Sequence, residues 1–140
     1  DPTTKEEVAK VSKDLFLALN HWAVVGDVLN PEKFAYKIVQ KLLRKGYEVS
    51  RVHPRGGDGV YVSLKDLPKQ PDVLCLVVNP KTGLEYVTEA AGLGVTHAWL
   101  QPGADAEEVV KHCQGLGMQV VQSCVLVELG LREKAEESRE

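Results

Sequence analysis

The residues with most to offer chemically sit in one turn. Ala23-Val24-Val25-Gly26 is an apolar run that ends on a glycine, and Asp27-Val28-Leu29-Asn30-Pro31 leads from it into Glu32-Lys33-Phe34-Ala35-Tyr36. The pattern predicts a strand, a sharp turn and the start of a helix, with Asn30 as its cap and Pro31 at its first position. Backbone N–H groups at a helix start have no partner within the helix, and the helix dipole adds partial positive charge there. A phosphate is the kind of ligand such a turn suits. Gly26, Asp27, Val28 and Asn30 are therefore the first candidate binding residues, although Asp27 places an anion beside an anion site.

A second loop decides which nucleotide would fit. Domains that bind NAD carry an Asp or Glu at the end of the second strand for the ribose hydroxyls. Here that place reads Arg51-Val52-His53-Pro54-Arg55-Gly56-Gly57. Arg55 and His53 offer donors to a phosphate on the ribose, which favours NADP or coenzyme A over NAD. A solvated basic loop is the plain alternative. The first turn also lacks the second and third glycines of GxGxxG, so a tightly apposed pyrophosphate of the ordinary NAD type is not expected. Two further turns, Asn79-Pro80-Lys81 and Gln101-Pro102-Gly103, follow apolar runs in the same way.

These loops need elements to hold them. A helix is predicted from Thr3 to Leu19, capped by Thr3 or Thr4, with Val8, Val11, Leu15 and Leu19 as the face turned to the core. Strands are read at 21–26, 47–52, 72–78, 95–100 and 118–122, with Val60-Tyr61-Val62 a short strand at most. Helices are read between them: one with Phe34, Ile38, Leu42 and Leu43 inward and Gly46 at its end, one from Pro80 to Leu93 with Leu84, Val87 and Ala91 inward, and one capped by Asp105. Strand and helix in alternation predict a single α/β domain, a Rossmann-like doubly wound parallel sheet of about five strands in the order 3-2-1-4-5, with helices on both faces. The boundaries are an N-terminal helix over 1–20, the sheet domain over 21–130 and a charged tail over 131–140. In such a sheet ligands bind beyond the carboxyl ends of the strands, where all four loops lie.

Composition narrows the class. The chain has 140 residues, a net charge of −3 and 44% hydrophobic content, enough for one core and unsuited to broad nucleic-acid binding. No apolar run approaches the roughly 20 residues of a membrane helix, and no secretory leader is visible. Cys75, Cys113 and Cys124 are scattered without zinc spacing, which fits a reducing cytoplasm.

Several segments taken together resemble the small bacterial and archaeal CoA-binding proteins. They are Val24-Val25-Gly26, Asn30-Pro31 with Tyr36, Lys45-Gly46-Tyr47-Glu48-Val49, Val52-His53-Pro54-Arg55-Gly56, Pro71-Asp72-Val73, Gly94-Val95, Ala98-Trp99-Leu100-Gln101, and Cys124 with Glu128. The resemblance runs from Trp22 to Glu128 and extends to the N-terminal CoA-binding domain of the succinyl-CoA synthetase alpha subunit. It implies coenzyme A or an acyl-CoA lying across the switch point. Its phosphates would rest on the Gly26 turn, its adenosine end near His53, Pro54 and Arg55, and further contacts would come from Asn79, Pro80 and Gln101. The chain departs from the family where Asp27 and Val28 replace Ala-Ser, leaving only the backbone of Val28 to serve a phosphate. Ala35 also stands before Tyr36 where Ser is common, and His53 stands where Asn is usual.

Catalysis is not indicated. His21, His53, His97 and His112 are dispersed, and no Ser/His/Asp order or carboxylate pair stands out. Cys124 could lie near the thiol end of the ligand, where a small buried residue is the simpler reading. The expectation is a non-catalytic module for a small-molecule nucleotide cofactor, regulatory or partnered with another subunit. An NADP-type nucleotide-binding or oxidoreductase domain, or a fold that has lost its ligand, stands as the alternative. A homodimer through Val125 to Leu129, or a partner protein, is left open.

Overall fold

The computed structural model describes residues 4–138. The chain runs α1 (Lys5–Leu17), β1 (His21–Gly26), α2 (Phe34–Arg44), β2 (Glu48–Val52), a 3-10 turn (Leu64–Asp66), β3 (Val73–Val77), α3 (Pro80–Gly92), β4 (His97–Leu100), α4 (Glu107–Gly115), β5 (Gln119–Gln122) and α5 (Val125–Glu137). All strands are parallel, with Val25 opposite Val52, Val24 opposite Cys75 and Trp99 opposite Val121.

The class is as predicted, but the order among the five strands is 2-1-3-4-5 rather than 3-2-1-4-5. The place outside β2 belongs to residues 60–61, which do not form a strand. Tyr61 makes one parallel bridge to Val52, while Val60 turns back on Gly57. With that hairpin on one side and the 3-10 turn on the other, no length remains for a ladder. The order in which strands are added therefore reverses between β1 and β3, and β1 is buried on both faces along its whole length.

Two apolar layers sandwich the sheet. One joins Ala23, Val25 and Leu76 to Tyr86, Val87 and Ala90 of α3 and Val109 and Cys113 of α4. The other joins Trp22, Val24 and Trp99 to Phe16 of α1, Ile38 and Leu42 of α2, and Val125 and Leu129 of α5. Both buried indoles satisfy their N–H groups on carbonyls, Trp22 on Leu19 and Trp99 on Ser123, each at 2.8 Å.

Four expectations about the helices need correction. Thr4 caps α1 through Glu7 N at 3.1 Å, while Thr3 lies outside the described residues. The stripe Val8, Val11 and Leu15 points outward, exposed by 53%, 43% and 60%. The rotation of α1 is set instead by Phe16 and Leu17, with Phe16 edge-on to His97 and Trp99, and by Lys13 and Asp14 reaching Glu128 and Arg132 of α5. In α2, Ala35 and Val39 are buried with Ile38 and Leu42, while Phe34 and Leu43 are exposed. The segment read as a tail is helical through Glu137, and Lys41 of α2 and Lys45 just after it both pair with its Glu133. Finally, α4 starts after Ala106 without a side-chain cap, because Asp105 Oδ1 accepts from Gly103 N within the preceding loop.

Candidate functional site

The reversal between β1 and β3 opens the carboxyl edge of the sheet, and the Gly26 turn lies at its centre. A Cβ on Gly26 would stand 2.7 Å from Val77 O and 2.9 Å from Ala35 Cβ. Glycine is thus required here by close packing of the strand end on β3 and α2. Val28 N donates to Gly26 O at 2.8 Å, and the Val28 side chain is buried. This corrects the expectation that the Val28 N–H is available to a ligand, since the turn itself uses it.

Asn30 is also used locally. Its Oδ1 accepts from Glu32 N at 3.1 Å, and its carbonyl accepts from Lys33 N at 3.0 Å. The helix begins later than the sequence suggests, at Phe34. Lys33 is in the cap position and no side chain caps the helix. Tyr36 is half-buried in the first turn of α2.

The loop after β2 is a tight turn. Gly56 N donates to His53 O at 2.9 Å, and Arg55 N donates to His53 Nδ1 at 3.0 Å. Nδ1 is therefore an acceptor, and Nε2 carries the proton of the neutral ring. Gly56 and Gly57 have φ of 68° and 148°. A side chain at Gly57 would also strike Leu29 Cδ1 at 2.6 Å, so glycine lets the two loops approach.

Between the loops is a cleft of about 140 Å³ lined by Asp27, Val28, Leu29, His53, Arg55 and Gly56. Arg55 is exposed, and neither it nor Asp27 forms an ion pair among the described residues. Pro54 is on the far side of the turn, lining a separate hollow of about 350 Å³ with Val62, Glu85, Tyr86 and Glu89. The structure thus brings Asp27, Val28, His53 and Arg55 together. Leu29 and Gly56 were missed as wall residues. An exposed Leu in a turn carries no chemical signal, and Gly56, although inside the segment that carries the family resemblance, has no side chain to mark it as a wall residue.

The remaining candidates have structural tasks. Asn79 Oδ1 accepts from Thr82 N at 2.9 Å and caps α3, with Pro80 in the first turn. Gln101 is buried, and its Oε1 accepts from Val125 N at 2.7 Å, which caps α5 from the loop after β4. Cys124 is half-buried at the start of α5. None of these four lines the cleft. Burial pushes the Cys113 thiol up to about 11 and the Cys75 thiol higher still. Neither is an available thiolate. A larger hollow of about 460 Å³ between α1 and α5 has charged walls and includes none of the loop residues.

Residues 20–130 match the model of a family described as CoA binding domain. Among solved structures, a conserved hypothetical protein from Pyrococcus furiosus is 37% identical. The match covers 78% of this chain and 98% of that one, with a TM-score of 0.71. A hypothetical protein from Pyrococcus horikoshii OT3 is 28% identical over 82% of this chain and 84% of that one, with a TM-score of 0.74. A dinucleotide forming acetyl-coenzyme A synthetase 1 from Ca. Korarchaeum cryptofilum is 26% identical over 76% of this chain, with a TM-score of 0.59. This chain spans only 27% of that enzyme.

Proposed function

The chain belongs to the CoA-binding domain family, and from that premise we propose that its cleft between the Gly26 and His53 turns is a non-catalytic site that holds coenzyme A or an acyl-CoA. The observation that carries this reading is Arg55. Its guanidinium is exposed at the cleft and has no carboxylate partner among the described residues. It is the group to receive the ribose phosphate, with the His53 Nε2–H as a second donor. Phosphates nearer the pantetheine arm would lie toward the first turn of α2, whose N–H groups no side chain caps. The Val28 N–H takes no part in this.

Asp27 sets the limit on affinity. A carboxylate in the same cleft repels every phosphate of the ligand, so binding is expected to weaken less with added salt than two cationic walls would predict. Asn79, Pro80 and Gln101 shape the edge by capping helices, and Tyr36 and Cys124 flank it.

The test is calorimetric titration of the chain with coenzyme A at low salt, with ADP and NADPH as controls. Saturable heat with coenzyme A that Arg55→Ala weakens supports the reading. Equal or tighter binding of NADPH would replace it with the NADP reading.

A further inference from the structure

A second cluster of chemical groups lies away from the cleft, and the coenzyme reading makes no use of it. His21 opens β1 and is buried, 2% exposed. Its ring bridges two partners. Nδ1 is 3.3 Å from Gln70 O, and Nε2 is 2.7 Å from Ser50 Oγ. A carbonyl can only accept, so Nδ1 carries the proton in the neutral ring, and Nε2 is left to accept from the Ser50 hydroxyl. The backbone of His21 is clamped as well. His21 N donates to Asp72 Oδ2 at 3.0 Å, and Asp72 N donates to His21 O at 2.8 Å. A hydroxyl, a base and a third group that fixes the tautomer of the base form the arrangement that activates a serine.

The cluster opens onto space. Ser50 and His21 line a hollow of about 270 Å³ with Arg51, Gly59, Tyr61 and Lys69. Lys69 is paired with Glu48 at 3.1 Å, while Arg51 has no ion pair among the described residues. The edge of the sheet supplies a further donor. Glu48 N bonds toward β1, to Asn20 O, whereas Arg51 O accepts from Tyr61 N on the outer side. Strand alternation puts the Arg51 N–H on that outer side too, immediately after the serine, where a carbonyl oxygen turning anionic could be stabilised.

We propose that Ser50, with His21 as its base and Gln70 O as the positioning group, is a second chemical site that takes acyl groups from small activated esters. In the step, Ser50 Oγ bonds to the acyl carbon, and the ester C–O bond breaks. The hydroxyl proton passes to His21 Nε2 and then to the departing alkoxide. Water, deprotonated by the same nitrogen, releases the acid and restores the serine.

The experiment incubates the full chain with p-nitrophenyl acetate, follows release of p-nitrophenolate and maps acetyl groups by peptide mass spectrometry. The proposal expects acetyl on Ser50, none there in Ser50→Ala, and a rate about 10²-fold lower in His21→Gln, the effect of losing a general base. It also expects p-nitrophenolate release to continue past one equivalent per chain, as a restored serine requires. Should His21→Gln melt early, Ser50→Ala and the release past one equivalent decide alone. Acetyl confined to lysines, or release that stops at one equivalent, would overturn the proposal and leave the Ser50–His21 bond as packing.

Discussion

Asp27 and Arg55 line the same cleft from different loops, yet they form no ion pair among the described residues. The two charges therefore act separately on anything that enters. One attracts phosphate and the other repels it, and the balance can be measured by changing each alone.

Arg55→Ala removes the cation. Charge-assisted hydrogen bonds contribute about 1.5–3 kcal/mol, so coenzyme A should bind about tenfold more weakly or worse. The loss should shrink for dephospho-coenzyme A, which has no ribose phosphate for Arg55 to meet. Titration of both ligands against both proteins checks this. An equal loss for the two ligands would move Arg55 away from the ribose phosphate.

Asp27→Ser removes the anion and puts a neutral hydroxyl where the carboxylate stood. The expected result is tighter binding of coenzyme A, by several-fold at low salt and by less at high salt, since the effect is electrostatic. Competition at two ionic strengths reads it. Weaker binding in the variant would mean that the Asp27 carboxylate accepts a hydrogen bond from the ligand.

Gly26→Ala should destabilise the fold as well as the site. The new Cβ meets a backbone oxygen at 2.7 Å and another side chain at 2.9 Å, and overpacking of this kind costs about 1–3 kcal/mol. A lower midpoint in urea without a change in slope is the expected signature.

Gln101→Ala leaves the Val125 N–H, the first of α5, without the acceptor now at 2.7 Å. An unmet buried donor costs about 1–3 kcal/mol. Thermal melting should fall, and amide exchange should quicken first in α5.

Glu133 gives a dependence on pH. Hydrogen bonds from Lys41 and then Lys45 hold its carboxyl below the ordinary carboxylate range. A lowered folded pKa means that the contribution to stability is present above the unfolded pKa and lost as pH falls through the folded one. Wild type should therefore exceed Glu133→Gln in melting temperature at neutral pH, and the gap should close in acid. A constant gap would show that the lysines act on Glu133 through packing alone.

Much of this architecture was legible in the chain. Continuous apolar runs such as Ala23-Val24-Val25 announced strands buried on both faces, and Pro80 announced a helix start. Where the reading failed, a long-range contact outweighed a local pattern. The stripe Val8, Val11 and Leu15 has helical spacing, but the fit of Phe16 against Trp99 and His97 turned it outward. In the site, Arg55 was visible by residue type. The use of Gln101 was not, because its partner Val125 is 24 residues away. Nor was the use of the Val28 N–H, since the turn that consumes it is a matter of backbone geometry. The pairing of His21 with Ser50 spans 29 residues and leaves no mark in sequence spacing.

Whether coenzyme A is held in the cleft between Gly26 and Arg55 is decided by calorimetric titration of the intact chain at low salt. The expected result is saturable binding of coenzyme A with one site per chain, weakened by Arg55→Ala and strengthened by Asp27→Ser. Absence of heat and of any thermal shift with coenzyme A, in wild type and in Asp27→Ser alike, would contradict it.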